Sequence, residues 1–143
     1  MKIGILGILF LVVTQICNAQ FNLRFGQPVT VACDNAEEKV VQTALQLFAR
    51  DYEAVFSASA TICVDHGEII VGTVDKSPLI ASTGVDISDL KRKNQAFLIS
   101  VLPGGRLLVV GSDSPGTCLL YTSDAADERS ISIAGWKVVS CRK

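Results

Sequence analysis

Histidine, tryptophan and long apolar runs are scarce in this sequence, and each scarcity argues against a class of function. His66 is the single histidine and Trp136 the single tryptophan of 143 residues. The five cysteines show no spacing of zinc ligands, so we expect no metal and no other cofactor. The 13 basic and 14 acidic residues leave a net charge of −1, which provides no electrostatic footprint for nucleic acid or an anionic membrane.

The first twenty residues have the pattern of an export signal. Lys2 gives a short positive start, an apolar run extends from Ile3 to Val13, and the small residue Ala19 precedes Gln20. This pattern predicts a secretory signal peptide over residues 1–19, because the apolar run is too short to span a bilayer. We therefore expect a periplasmic or secreted protein with no membrane attachment after cleavage.

The sequence pattern typical of an α/β domain ends at Thr117, and we call the point between Thr117 and Cys118 the junction. The eleven residues after it, CLLYTSDAADE, resemble the conceptual translation of a transposase-type DNA sequencing adaptor. We therefore divide the chain into a signal peptide (1–19), an incomplete α/β domain (20–117), an adaptor-like artefact (118–128) and a tail of unknown origin (129–143). Function has to be inferred from residues 20–117.

Only two of the cysteines, Cys33 and Cys63, lie in residues 20–117 after the signal peptide is removed. An exported protein is able to form a disulfide between them. Two free thiols packed in a core agree equally well with the sequence. The sequence leaves both alternatives open.

The clearest helix signal follows the strand-like segment Pro28–Cys33. Apolar residues recur at steps of three and four up to Phe56, which predicts an amphipathic helix over about residues 35–56. Asp34 and Glu37 have the spacing of a capping box, so we predict that both cap this helix, with Glu38 as an exposed acidic neighbour.

Four further segments are rich in strand-forming residues and predict a mixed sheet. They are Ala60–Val64, Glu68–Gly72, Gln95–Val101 and Arg106–Ser112. The second of these also fits a continuation of the first after a bulge, and the LPGG turn at 102–105 predicts a hairpin between the last two. The expected fold class is α+β, or α/β, with a sheet of four to five strands packed on one long helix.

The last two predicted strands are almost continuously apolar, which is typical of strands covered on both faces. The long helix covers one face, and before the junction only a short segment near Pro78 is available for the other. Residues 112–117 have the capping side chains, proline and glycine of a second helix that the junction interrupts. We therefore expect an incomplete fold that is marginally stable and prone to aggregate.

No group of side chains has the pattern of an active site, so we assign no catalytic residue. His66 lies in a tight turn without converging partners and is interpreted as a surface residue. Lys76 and Ser77 follow a strand, but the second glycine of a phosphate loop is missing. Asp113 lies in a segment without the spacing of a nucleophile elbow and is interpreted as a helix cap.

Three segments, in this order, resemble the N-terminal domain of glycoside hydrolase family 115. IIVGTVDKSPLI (69–80) is similar to a family segment IIVGTxxKSPLI, AFLI (96–99) to an AFxI strand, and VVGSDSPGT (109–117) to a segment that leads into a helix. The sequence departs from the family at Ser114-Pro115, and the resemblance ends at the junction. Family 67 α-glucuronidases and family 20 hexosaminidases have domains with a similar ending.

The resemblance implies a parent α-glucuronidase that removes glucuronic acid, or its 4-O-methyl ether, from glucuronoxylan. Its catalytic carboxylates are expected in a downstream (β/α)8 barrel, so this chain is expected to be a non-catalytic N-terminal fragment. The expected partners are that missing barrel and, through the whole enzyme, plant cell-wall polysaccharide.

Three alternatives stay open. In the first, the chain is the N-terminal domain of another glycosidase, of family 67 or similar to family 20. In the second, the chain is a self-contained carbohydrate-binding or interaction module. Such a module would need an exposed aromatic platform, and the single tryptophan, Trp136, lies beyond the junction. The third alternative is a small structural domain held by Cys33 and Cys63.

Overall fold

The computed structural model describes residues 21–119 and 138–141, with Leu119 and 138–141 described by their backbone. The predicted signal peptide and residues 120–137 lie outside the described residues. No helix in the described part is long and apolar enough to cross a bilayer. The elements are β1 (Val29–Cys33), α1 (Lys39–Phe56), β2 (Ala60–Cys63), β3 (Ile69–Thr73), α2 (Pro78–Ser82), α3 (Ser88–Lys91), β4 (Ala96–Val101), β5 (Leu107–Gly111), α4 (Ser114–Leu119) and β6 (Val138–Cys141).

The strands form one mixed sheet in the order β2-β1-β3-β5-β4-β6. β1, β2, β3 and β5 run parallel, whereas β4 is antiparallel to both β5 and β6. Five strands precede the junction, which confirms the predicted mixed sheet and fold class. β6 comes from the tail and adds a strand beside β4.

The β4–β5 hairpin has the turn that its sequence predicts. Gly104 and Gly105 both have positive φ angles, of 86° and 77°, a backbone region that glycine enters at little steric cost. The Leu102 amide donates to the Arg106 carbonyl at 2.7 Å and closes the turn.

β2 and β3 are separate strands on opposite sides of β1, so the bulge alternative is wrong. The five-residue connection between them has to pass over the backbone of β1. Gly67 makes this crossing possible, because a Cβ atom at that position would lie only 2.4 Å from the Ala32 amide nitrogen.

Both faces of the sheet carry a buried apolar cluster. On one face, α1 packs through Val41, Leu45 and Tyr52 against residues that include Val31 and Val71. On the other face, Ile80 of α2 and Leu90 of α3 are buried against alternate residues of the same strands. The segment 78–91 therefore covers the face opposite α1 more fully than predicted, and the area that the described residues leave open lies instead on the α1 face, beside β4 and β5.

α1 begins at Lys39, four residues later than predicted, and the predicted capping box is wrong. The Asp34 carboxylate accepts a hydrogen bond from the Ala36 amide at 2.7 Å, a local turn that competes with helix capping. Glu38 occupies the N-cap position without a capping side-chain hydrogen bond. Glu37 is buried and bonds to β3, so it is not an exposed helix-start residue.

Candidate functional site

Polar side chains gather where β1, β3 and β5 end. Since these three strands are parallel, their carboxyl ends lie at one edge of the sheet, and α/β folds commonly bind ligands at such an edge. Here the edge carries a buried network formed by Glu37, Thr73 and Thr117. Beside this network lies an exposed ion pair between Glu38 and Lys76, with the buried Ser114 as a hydroxyl partner.

The buried network is centred on the Glu37 carboxylate. One carboxylate oxygen accepts a hydrogen bond from the Thr73 amide at 2.6 Å. The other accepts from the Thr73 hydroxyl at 2.8 Å, and that hydroxyl lies 2.9 Å from the hydroxyl of Thr117. The network therefore joins the loop after β1, the end of β3 and the first turns of α4.

The Glu37 carboxylate is arranged to hold these elements together. Glu37 is only 4% exposed, and both of its oxygens already accept hydrogen bonds, as a buried carboxylate requires. The sequence contains a signal for this burial that our prediction missed. Glu37 lies four residues before Val41, a spacing that, in the helix predicted from residue 35, would have assigned it to the buried stripe, although it actually lies in the loop before α1.

The ion pair beside the network is exposed to solvent, and its hydroxyl partner is buried. Lys76 pairs with Glu38 and donates to the Ser114 hydroxyl at 3.4 Å. The hydrogen bond from Lys76 lowers the pKa of Glu38 below its usual value. Because this pair is exposed to solvent, it contributes little to stability.

Asp113 caps α4, as the sequence predicts. One carboxylate oxygen accepts from the Gly116 amide at 2.7 Å, three residues on. The other accepts from the Gln95 amide at 2.9 Å. Asp113 therefore fixes the start of α4 to the start of β4, and both of its oxygens are occupied by backbone donors.

His66 is a surface residue, also as predicted. Its Nδ1 lies 2.6 Å from an oxygen of Asp65, and both side chains are exposed. Residues 21–119 contain no cluster of three histidine, cysteine or acidic side chains with the geometry to hold a metal ion.

Ser77 has a buried hydroxyl that has no hydrogen-bond partner among the described residues. A buried polar group without a partner costs stability. We therefore expect Ser77→Ala to leave the free energy of unfolding unchanged or to raise it by up to about 1 kcal/mol. Urea unfolding of the variant checks this, and a loss of stability would show that the hydroxyl is satisfied.

Cys33 and Cys63 are both free thiols in the structure. Cys63 is aligned with Ala32, whose neighbour Cys33 points to the opposite face of the sheet. This arrangement favours the alternative of two free thiols over a disulfide, since strand neighbours one residue out of register face away from each other.

The two thiols are expected to differ strongly in reactivity. Burial raises the pKa of the Cys33 thiol to about 11, with smaller contributions from Glu37 and Asp34. At pH 8 the reactive thiolate is then about 0.1% of Cys33. In the native protein at pH 8 we expect iodoacetamide to label Cys63, which is only half-buried, well before Cys33.

Peptide mass mapping after timed labelling checks this order, and labelling in urea serves as the control. Equal rates for the two thiols in the folded protein would contradict the buried position of Cys33. Resistance of both thiols to labelling in urea would reveal a disulfide.

The chain was compared with known proteins. No protein-family model and no curated protein matches it. Among solved structures, it is similar to one described as a novel family GH115 4-O-methyl-α-glucuronidase, BtGH115A, with specificity for decorated arabinogalactans. The identity is 49% and the TM-score 0.68, over 71% of this chain and 13% of that one.

The fold is that of a mixed α/β domain with a polar strand edge, and the solved structure that it resembles belongs to a glycosidase. At this identity, the relationship extends beyond a shared fold, and the chain is a fragment of a glycoside hydrolase family 115 protein. The match favours family 115 over the family 67 and family 20 alternatives. The chain spans about one eighth of the length of the solved relative.

Proposed function

We propose that this chain is a non-catalytic N-terminal domain of an exported α-glucuronidase, interrupted at the junction. The observation that carries the proposal is the 49% identity with a 4-O-methyl-α-glucuronidase over 71% of the chain. The parent enzyme would remove glucuronic acid or 4-O-methylglucuronic acid side chains from a plant polysaccharide.

The carboxylates at the strand edge support a non-catalytic role for this domain. A glycosidase needs two carboxyl groups that reach the scissile bond from opposite sides. Glu37 is buried with both oxygens bonded to Thr73, and Asp113 has both oxygens bonded to backbone amides. Glu38 is paired with Lys76, so none of these three is arranged as a free acid or nucleophile.

Two substrate classes are candidates for the parent. The resemblance to family 115 favours glucuronoxylan. The solved relative has specificity for decorated arabinogalactans, which favours arabinogalactan side chains. Both substrates present a terminal glucuronic acid, and they differ in the polymer to which it is linked.

Release of free (4-O-methyl)glucuronic acid from each polymer tests the proposal. The full-length parent, recovered from the source DNA, is expected to release it from at least one of glucuronoxylan and arabinogalactan, whereas the 143-residue chain releases it from neither. Hydrolysis by the 143-residue chain would overturn the non-catalytic assignment. An inactive parent would overturn the assigned activity.

Export is tested separately with a reporter enzyme that is active only outside the cytoplasm. Residues 1–19 are expected to export alkaline phosphatase lacking its own signal. The variant Leu9→Arg, which places a charge within the apolar run, is expected to abolish export. Equal activity of the two fusions would argue against a signal peptide.

A further inference from the structure

An open apolar groove of about 210 Å³ lies on the α1 face of the sheet. Its floor includes Ile99 of β4 together with Leu107 and Val109 of β5, and one wall includes Ala44 and Phe48 of α1. It therefore coincides with the area of the sheet that residues 21–119 leave open. Apolar surface of this kind in an α/β fold is normally covered by a helix.

The apolar stripe of α1 is wider than its present contacts require. Val40, Ala44 and Phe48 follow one another at four-residue steps, which places them on one line along the helix. Val40 is 52% exposed, although it continues the groove wall by one turn. The width of the stripe indicates a second helix beside α1.

α4 enters the groove at the end where β5 finishes. Thr117 lines the groove, Cys118 packs on the α1-face cluster, and α4 contacts α1 as well as β3, β4 and β5. A helix that starts at the carboxyl end of a strand runs back along the sheet, as α1 does after β1. The five residues of β5 span roughly 16 Å, which is the length of about eleven helical residues.

We propose that the apolar groove is the binding site of an amphipathic helix that continues α4 for about three turns. The proposal rests on the proposed interruption of a family 115 protein at the junction. The occupant presents apolar side chains three, four, seven and eight residues after Thr117. In this chain those positions hold Leu120, Tyr121, Asp124 and Ala125, so a carboxylate interrupts the required stripe.

Binding of a separate synthetic peptide tests whether the apolar groove accepts such a helix. The probe is a fluorescently labelled sixteen-residue synthetic helix (about four turns) with leucines at the four positions and with lysine and glutamate elsewhere. A scrambled peptide of the same composition lacks the periodicity. Fluorescence anisotropy with the full mature chain is expected to show saturable 1:1 binding of the periodic peptide, at least about tenfold tighter than that of the scrambled one.

Two matched variants locate the binding. Ile99→Asp places a carboxylate on the groove floor and is expected to weaken peptide binding by at least about tenfold. Ile62→Asp makes the same change on β2, outside the groove, where the isoleucine is 39% exposed. It is expected to leave the affinity within about twofold. Circular dichroism confirms that each variant is folded before titration.

Three outcomes would overturn the proposal. These are absence of saturable binding by the folded chain, equal affinity for the two peptides, and equal weakening by the two variants. A concentration-dependent dimer that Ile99→Asp dissociates would assign the groove to a second copy of the chain and would also overturn it. Because the assay measures no hydrolysis, its failure is distinguishable from inactivity of the parent enzyme.

Discussion

Replacing Glu37 by alanine is expected to lower the free energy of unfolding by about 2–4 kcal/mol. The substitution removes the acceptor of two hydrogen bonds from Thr73, one from the amide and one from the hydroxyl. The Thr73 amide then has no partner in a region where Thr73 is only 2% exposed. Urea unfolding followed by circular dichroism measures the loss.

Two control variants separate this effect from a general loss of charge. Glu37→Gln keeps one acceptor oxygen, so we expect roughly half of the loss. Glu38→Ala removes the neighbouring carboxylate, which is exposed and paired with Lys76, and is expected to leave the unfolding midpoint almost unchanged. If Glu37→Ala and Glu38→Ala shifted the midpoint equally, the buried network would not have the role assigned to it.

Replacing Gly67 by alanine is expected to cost about 3 kcal/mol or more. The added methyl group would lie 2.4 Å from the Ala32 amide nitrogen and 2.9 Å from the Val31 carbonyl carbon. Both atoms belong to the backbone of β1, which is paired on both sides and has no room to move. The connection between β2 and β3 would therefore have to lift away from the sheet.

Gly104→Ala is the control for Gly67→Ala. Gly104 has a positive φ of 86° but open space around its Cα. The control therefore measures the conformational cost of alanine alone, about 1 kcal/mol. Both variants are compared by urea unfolding, and equal destabilisation would contradict the close crossing of the chain over β1.

The features that the sequence predicts correctly depend on neighbouring residues. The LPGG turn predicts the β4–β5 hairpin because its two glycines adopt the positive φ angles that the turn requires, without help from distant residues. The apolar steps up to Phe56 predict α1 because helical periodicity is also local. Asp113 is identified as a cap because its hydrogen-bond donor, the Gly116 amide, lies only three residues away.

The features that the sequence leaves unpredicted depend on distant partners. The late start of α1 follows from the pairing of Glu37 with Thr73, 36 residues further along the chain. The separation of β2 from β3 follows from the insertion of β1 between them, which the apolar pattern of either strand does not encode. The cover on the second sheet face comes from Ile80 and Leu90, which lie in helices too short for a periodic signal.

The position of the uncovered surface connects the fold to the junction. The described α4 includes two residues beyond Thr117, namely Cys118 and Leu119, and Cys118 packs on the α1-face cluster that borders the open groove. An adaptor-like sequence therefore starts within the first turns of the helix for which the groove has the right position and length. The groove that the described residues leave open and the sequence resemblance indicate the same point of interruption.

The most direct test is to amplify and resequence the source DNA across the codons for Thr117 and Cys118. We predict that the natural reading frame continues from Thr117 into a sequence with apolar residues at the groove-facing positions, followed by the rest of a family 115 protein. If the natural DNA instead encodes CLLYTSDAADE after Thr117, the chain is not interrupted there, and the account of a truncated glycosidase domain is contradicted.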